Sequence, residues 1–497
     1  MIAPSTPATR VPFSAHLKEL VGHSAIYGSQ DVAAQVVNLL LSPLYTAILS
    51  TADYGVIAIL FTFSTVAKVV FRMGLDAGFF RIYYDLDSEE ERARLAGTIA
   101  LFAAAVSTVL FLAIVLASPL LVAALRLPGP NARMLLVLAA ADIYAGTFAF
   151  VPLNLLRIQG RARTFAAVNV ARNLGNTALK VALVLGGFGV PGVLWSDFMA
   201  TAAVALGLLP VLRSHARPAF STRRLREVLA FGLPKAPHGL MVQALNLADR
   251  LILARFRPID VVGVYDKAYA VGAGVKFGLS PFETAWQPFV LARMRLPDAP
   301  RTLARVVTYA AAGFLGLGLA VAVFGRELLM ALTFKNPSFW AGASVIPVVV
   351  LAYLFHGGFL LTSIGIGIEK KARYYPLITA VAAAANIGLN LALIPRFGMM
   401  GAAWATAVAY ALMAVLGGVI SRRLFPIPLE WGRLAQLAGA AGVLYAASTL
   451  APDALLPALA VKAGLVALYV LPLAAAGLLR RPGGGIVEDT LITGERS

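Results

Sequence analysis

The chain has 497 residues, 59% of them hydrophobic and 13% charged, with 42 Lys and Arg against 24 Asp and Glu and no Cys. A mean hydropathy of +0.80 excludes an ordinary water-soluble domain, and the absence of Cys excludes a disulfide scaffold, a thiolate metal site and a cysteine nucleophile. The formal charge of +18 would suit a nucleic-acid binder, but the basic residues sit in short loops between apolar runs, where anionic lipid accounts for them.

Residues 1–23 carry Arg10, His16 and Lys18 without an apolar core, and the run that follows passes Asp31 and lacks a small-residue cleavage site; a cytoplasmic segment without a cleaved signal peptide is expected. Apolar windows long enough to cross a hydrocarbon core as helices then follow at 24–49, 54–74, 95–117, 134–156, 164–186, 190–212, 228–253, 260–284, 303–325, 340–364, 373–394, 400–421, 434–450 and 456–479. They are too long and too continuously apolar for barrel strands. The expected fold is an all-α polytopic membrane protein of about 14 transmembrane helices.

Alternate loops sort by charge. One set holds Arg157, Arg161 and Arg163, then Arg213, Arg217, Arg223, Arg224 and Arg226, then Lys370, Lys371 and Arg373, while the opposite set is near neutral around Ser50, Gly187 and Ala451. Lys and Arg are retained on the cytoplasmic side, so both termini are expected there. The acidic run Asp85, Asp87, Glu89, Glu90 and Glu91 reads as a solvated turn.

Two copies of one pattern lie about 210 residues apart: IQGRARTFAAVNVARNLGNTALKVALVLGGFGVPGVLWSDFMA and IEKKARYYPLITAVAAAANIGLNLALIPRFGMMGAAWATAVAY. In each, a basic loop leads into a helix and a short turn carries paired glycines, Gly189 with Gly192 and Gly398 with Gly401. The spacing fits two parallel six-helix repeats. The expected layout is a cytoplasmic N-terminal segment (1–23), an N-terminal lobe (24–212), a basic linker (213–227), a C-terminal lobe (228–421), an added helix pair (434–479) and a cytoplasmic tail (480–497).

Polar residues inside the spans are the functional signal, because a charge facing lipid costs several kcal/mol. At helical pitch, Asp31, Gln35, Asn38 and Ser42 fall on one face of the first span, and Asn169, Arg172, Asn173, Asn176 and Lys180 on one face of the fifth. Lys235, His238, Asn246 and Asp249 do so in the seventh, and Lys68 lies one turn below Arg72 in the second. Lys276 stands alone in an apolar stretch, Asp249–Arg250 and Asp266–Lys267 read equally as interface pairs or as site residues, and Asp142, Asp197 and Glu283 are the acids suited to ion coupling. Cavity lining competes throughout with plain interhelical hydrogen bonding. His238 and His356 read first as packing histidines.

Together Lys68, Arg72, Arg172, Lys180, Lys235 and Lys276 outnumber the acids with an obvious partner, which describes a cationic cavity for a diphosphate or acidic sugars. There is no P-loop for ATP hydrolysis and no His, Asp or Glu set with metal-ligand spacing, so neither enzyme chemistry nor a cofactor is expected, while coupling to a proton or sodium gradient stays open.

LSPLYTAILSTADYGVIAI, RIQGRARTF with the GFGVPG turn, and IPRFGMMGAAWAT are together similar to the polysaccharide transporter (Wzx-like flippase) branch of the multidrug/oligosaccharidyl-lipid/polysaccharide exporter superfamily, over roughly residues 20–480. The resemblance implies a MATE/MurJ-like architecture of two lobes with a cationic central cavity. It also implies flipping of undecaprenyl-diphosphate-linked oligosaccharide to the outer leaflet of the bacterial inner membrane by alternating access, without a covalent step. O-antigen, capsule or exopolysaccharide synthesis would consume the product, with polymerase or ligase machinery as partners, and a functional monomer and no nucleic acid are expected. Three alternatives remain at this point: a lipid II flippase, a cation-coupled multidrug antiporter and a structural membrane protein of an envelope assembly.

Overall fold

The computed structural model describes Val37 and residues 40–217, 219–294, 299–452 and 454–478, and every regular element among them is helical. This is what an apolar solvent imposes, since a helix satisfies its backbone polar groups within one segment. Asp31, Gln35 and Asn38 lie outside the described residues. The chain forms two compact units, up to Gln243 and from Ala244 onward.

The first unit contains α1 (40–48), α2 (Thr51–Arg72), α3 (Leu75–Tyr84), α4 (Glu89–Leu125), α5 (Ala132–Ile158), α6 (Ala162–Leu185), α7 (Gly189–Gly207), α8 (Leu209–His215) and α9 (Thr222–Gly232). A capping box starts α2: the Asp53 amide donates to Ser50 Oγ (3.1 Å), and the Ser50 amide donates to Asp53 Oδ2 (2.9 Å). Met73 and Gly74, both with positive φ, end α2 where the predicted span 54–74 ends, and α3 follows as a separate helix. Phe79 of α3, Leu95 and Ile99 of α4, Phe150 and Leu155 of α5, and Val228 of α9 form a buried core.

Helix α9 departs from the sequence expectation. The seventh span was expected from 228, yet its membrane-length helix α10 (Ala236–Phe256) begins only after a 3₁₀ turn, Leu233–Lys235. Pro234, which has no amide hydrogen to donate, sits in that turn. Ahead of it, α9 is a short amphipathic helix docked on α3, and the Gly74 and Gly232 backbones meet so closely that a Cβ on either would overlap the other's carbonyl.

Two residues of the acidic run expected as a solvated turn, Glu90 and Glu91, also hold this linker. Glu90 accepts from Arg217 (2.8 Å) and Arg94 (3.0 Å), and Arg224 bridges Glu91 (2.8 Å) and Glu227 (2.9 Å). Backbone bonds add to the clasp: the Arg217 amide donates to the Ala93 carbonyl (3.0 Å) and the Ser221 amide to Thr98 Oγ1 (3.1 Å).

The second unit takes most of α10, then α11 (Ile259–Gly272), α12 (Lys276–Arg293), α13 (Ala299–Leu332), α14 (Ile346–Thr362), α15 (Ile364–Ile368), α16 (Tyr374–Leu424), α17 (Trp431–Ser448), α18 (Leu455–Leu468) and α19 (Val470–Ala475). The 51-residue α16 is broken at Gly398, whose φ of 56° and ψ of −132° suit only glycine. Gly189, at the matching place of the first sequence copy, also has positive φ (53°). Three residues later, Gly192 and Gly401 each leave no room for a Cβ against Leu183 and Leu393 of the preceding helical segment. The two turns are thus built alike. Farther on, α18 is fixed to α13 by a largely buried Lys462–Glu327 pair (2.6 Å).

Eight helical stretches among the described residues are long and apolar enough to cross a membrane: Thr51–Tyr84, Glu89–Leu125, Ala132–Ile158, Gly189–His215, Ala299–Leu332, Pro337–Ile368, Tyr374–Leu424 and Leu455–Ala475. The protein is a multi-pass membrane protein. Helices α6 and α10 fall outside that set, and they carry two of the polar stripes read from the sequence.

The hydrogen bond from Arg224 holds the Glu227 carboxyl below its ordinary value, against some opposing desolvation. A carboxyl depressed in the folded state contributes fully above its unfolded value of about 4.3 and ceases to as pH falls through the lower folded value. The Arg224–Glu227 pair within α9 is therefore expected to persist from pH 7 to pH 5 and to be lost as pH falls through the lowered folded value, loosening the helix. Hydrogen exchange across 222–232, corrected for intrinsic rates, would show it, and unchanged protection down to pH 3 would refute it.

Candidate functional site

In the first unit α6 packs against α5 and α7, and its polar stripe meets acids and hydroxyls on those neighbours. Arg172 Nη2 donates to Thr201 Oγ1 of α7 (3.0 Å), and Thr201 donates in turn to Asp142 Oδ1 of α5 (2.6 Å). The other carboxylate oxygen of Asp142 faces Lys68 Nζ of α2 at 3.4 Å. Farther along α6, Asn176 Nδ2 (2.7 Å) and Lys180 Nζ (2.9 Å) both donate to Asp197 Oδ1 of α7. The Asn176 amide oxygen is buried without a partner among the described residues.

Arg72 pairs with Asp76 at 3.3 Å and lies over the Phe150 ring at 5.7 Å from its centroid. Lys68, Arg72, Phe71, Gly146, Thr147 and Phe150 line a recess of about 40 Å³, far below the several hundred Å³ of a typical ligand pocket. Its value lies in its charges. Lys68 and Arg72 are about half exposed, whereas Asp142 is only 12% exposed. Four cations (Lys68, Arg72, Arg172, Lys180) face three carboxylates (Asp76, Asp142, Asp197), leaving one positive charge in excess. Such a set suits an anion that competes for cations already oriented by internal counter-ions.

The remaining predicted residues are divided. Asn169 donates to the Phe165 carbonyl of its own helix (2.9 Å), and Asn173 is half-buried. Lys235 is exposed in the turn before α10, with its ammonium 4.0 Å above the Phe231 ring, so it is not part of one continuous helical stripe with Asn246 and Asp249. His238 buries Nδ1 without a partner among the described residues. In the second unit Lys276 lies 4.9 Å from the Tyr353 ring centroid, and Glu283 is exposed.

Asp249 and Arg250, 2% and 4% exposed, form a buried pair at 2.8 Å. Arg250 also donates to Asp266 (3.1 Å) and stacks on Tyr269 at 4.1 Å, Tyr265 donates to Asp249, and Tyr410 donates to Asn246 Oδ1 (2.6 Å). Burial and complete pairing make this network a packing device joining α10, α11 and α16.

Residues 46–276 match the sequence model of a polysaccharide biosynthesis protein family. No curated protein matches the chain by sequence. Among solved structures the chain is similar to a lipid II flippase, MurJ, in its inward closed conformation, with a TM-score of 0.72 and 13% identity over 91% of this chain and 99% of that one. It is also similar to an inward-facing MATE family multidrug resistance transporter of the MOP superfamily, with a TM-score of 0.60 and 14% identity over 78% of this chain and 94% of that one. A third, the MATE multidrug transporter DinF-BH, gives a TM-score of 0.57 and 19% identity over 84% of this chain and 98% of that one.

The chain has the fold of these MurJ and MATE structures. That bears out the resemblance carried by LSPLYTAILSTADYGVIAI and the two glycine turns. Within this fold the sequence reading missed Thr201 and Asp76. Thr201 carries no sequence signal, being one hydroxyl among many, but Asp76 stands four residues after Arg72, a spacing at which helical ion pairs form.

The buried network responds differently to mutation at its deep end and at its exposed end. Asp249→Asn leaves Arg250 buried with a neutral neighbour and is expected to cost about 3–5 kcal/mol, read as a large fall in thermal midpoint in detergent. Asp266→Asn, at the more exposed end, is expected to cost about 1 kcal/mol. Equal midpoints for the two variants would show that Asp249 is not the counter-charge on which the buried network depends.

Proposed function

We propose that this protein is a flippase that moves an undecaprenyl-diphosphate-linked oligosaccharide repeat unit from the cytoplasmic to the outer leaflet of the bacterial inner membrane, for O-antigen, capsule or exopolysaccharide synthesis. One coincidence carries the reading: all six candidate cations, Lys68, Arg72, Arg172, Lys180, Lys235 and Lys276, lie within the segment 46–276 that matches the polysaccharide biosynthesis family. A diphosphate presents several anionic oxygens and is best met by separated cations. The chain would cross the membrane fourteen times, as two six-helix repeats and a final pair, with both termini cytoplasmic and the protein acting as a monomer.

In this mechanism the head group displaces Asp142 and Asp197 from their cations while the polyprenyl tail stays in lipid. No bond is made or broken. The internal carboxylates keep the affinity moderate, as alternating access requires, because a ligand held equally tightly in every state shifts no equilibrium. Direction comes from consumption of the product by polymerase or ligase machinery, or from a proton or sodium gradient acting through Asp142 or Asp197.

A second reading, a flippase for lipid II, is favoured by the fold similarity to the MurJ structure. Leaflet translocation of a fluorescent undecaprenyl-diphosphate oligosaccharide in proteoliposomes tests both. Arg172→Ala with Lys180→Ala is expected to slow flipping by about tenfold or more, since a hydrogen bond to a charged group contributes roughly 1.5–3 kcal/mol, with the thermal midpoint retained. Unaltered flipping by the double variant would remove the cationic stripe from the mechanism. Transport of lipid II but not of the oligosaccharide diphosphate would select the second reading.

A further inference from the structure

One feature of the first unit has no part in the proposed transport path. Helix α9 buries Leu225, Val228 and Gly232 against its neighbours, and an open groove of about 600 Å³ runs along the edge of that contact, lined by Leu225, Leu229, Ala230, Leu233 and Pro234, with Thr222 and Arg226 among them. Leu233 is 45% exposed, and Phe220 and Phe231 beside it are exposed as well. An apolar groove beside exposed aromatic rings does not favour water.

Charge separates Arg226 from the other arginines of the helix. Arg223 pairs with Glu227 (3.2 Å), and Arg224 with Glu227 and Glu91. Arg226 is exposed, lines the groove, and has no ion-pair partner among the described residues. The groove is also held in place beforehand, because the clasp of Arg217 and Arg224 on Glu90 and Glu91 ties the linker and α9 to α4, and the close approach of Gly78 to Val228 seats α9 on α3. Immediately after the turn the chain enters α10, so the groove lies next to a membrane-length helix.

We propose that this groove is a binding site for an anionic phospholipid, whose acyl chain lies along Leu225, Leu229 and Leu233 and whose phosphate meets Arg226. An amphipathic helix with a basic residue over an apolar flank takes up this position at a bilayer surface, where anionic head groups and acyl chains are the available ligand. A soluble anion would use Arg226 alone and leave the apolar lining without a role.

The test uses the full chain in nanodiscs of phosphatidylcholine with an equimolar share of phosphatidylglycerol, followed by gentle extraction and a count of retained lipids by native mass spectrometry. Arg226→Gln is expected to lower retained phosphatidylglycerol about fivefold, the factor that one basic residue contributes near an anionic surface, without changing retained phosphatidylcholine. Leu233→Ser is expected to lower it too, whereas Arg223→Gln, outside the groove lining, keeps it. Equal retention by wild type and Arg226→Gln overturns the proposal, and so does an equal loss with Arg223→Gln, which would mean general surface charge. Competition by glycerol phosphate as strong as by the intact lipid would overturn the acyl contact. Binding seen only after removal of residues 1–20 would overturn it as well, by showing that the chain's own N-terminal segment fills the groove.

Discussion

A charge withdrawn from water into a helical membrane protein has to bring its counter-charge with it, because the hydrocarbon offers nothing to replace hydration. The helices that carry charge are placed by this constraint. Arg250 is nearly inaccessible and is held by Asp249, Asp266 and the Tyr269 face. Lys462, on an otherwise apolar helix, finds Glu327. Lys180 finds Asp197, and Arg172 reaches Asp142 through one threonine hydroxyl. Each pairing sets the rotation of a helix about its own axis, which apolar packing between similar Leu, Val and Ala faces specifies only weakly.

The pairings differ in depth, and depth decides what they can do. At Asp249 and Arg250 both partners are shut away from solvent and their polar atoms are used by one another, by Tyr265 and by the backbone. A closed network of that kind rigidifies and recognises nothing else. On α2 and α6 the cations keep part of their surface open, and Lys68 lies over a carboxylate, Asp142, that is deeper than itself. An arriving anion can then share the cation without the protein first creating a buried, unpaired charge.

The linker applies the same electrostatics at the edge of the apolar region. Its arginines are attracted to the glutamates that open α4, and the close backbone contact of Gly74 with Gly232 lets α9 lie flat on α3. A short helix of this kind is marginal by itself. Its order comes from tertiary contacts on one face, and the other face remains available.

The sequence by itself determined that the chain is helical and membrane-embedded, because apolar runs of spanning length admit no other backbone solution. It also marked the polar stripe of α6 and the glycine turns at Gly189 and Gly398, since these depend on local pitch and on the one residue that tolerates their backbone angles. It did not reveal that Glu90 and Glu91 hold the linker, that Pro234 delays the seventh helix to Ala236, or that three carboxylates nearly balance the four cations of α2 and α6. Those facts were decided only by the tertiary structure. The partners are as much as 133 residues apart in the chain, and a charge carries no mark of its counter-ion until packing brings the two within hydrogen-bonding distance.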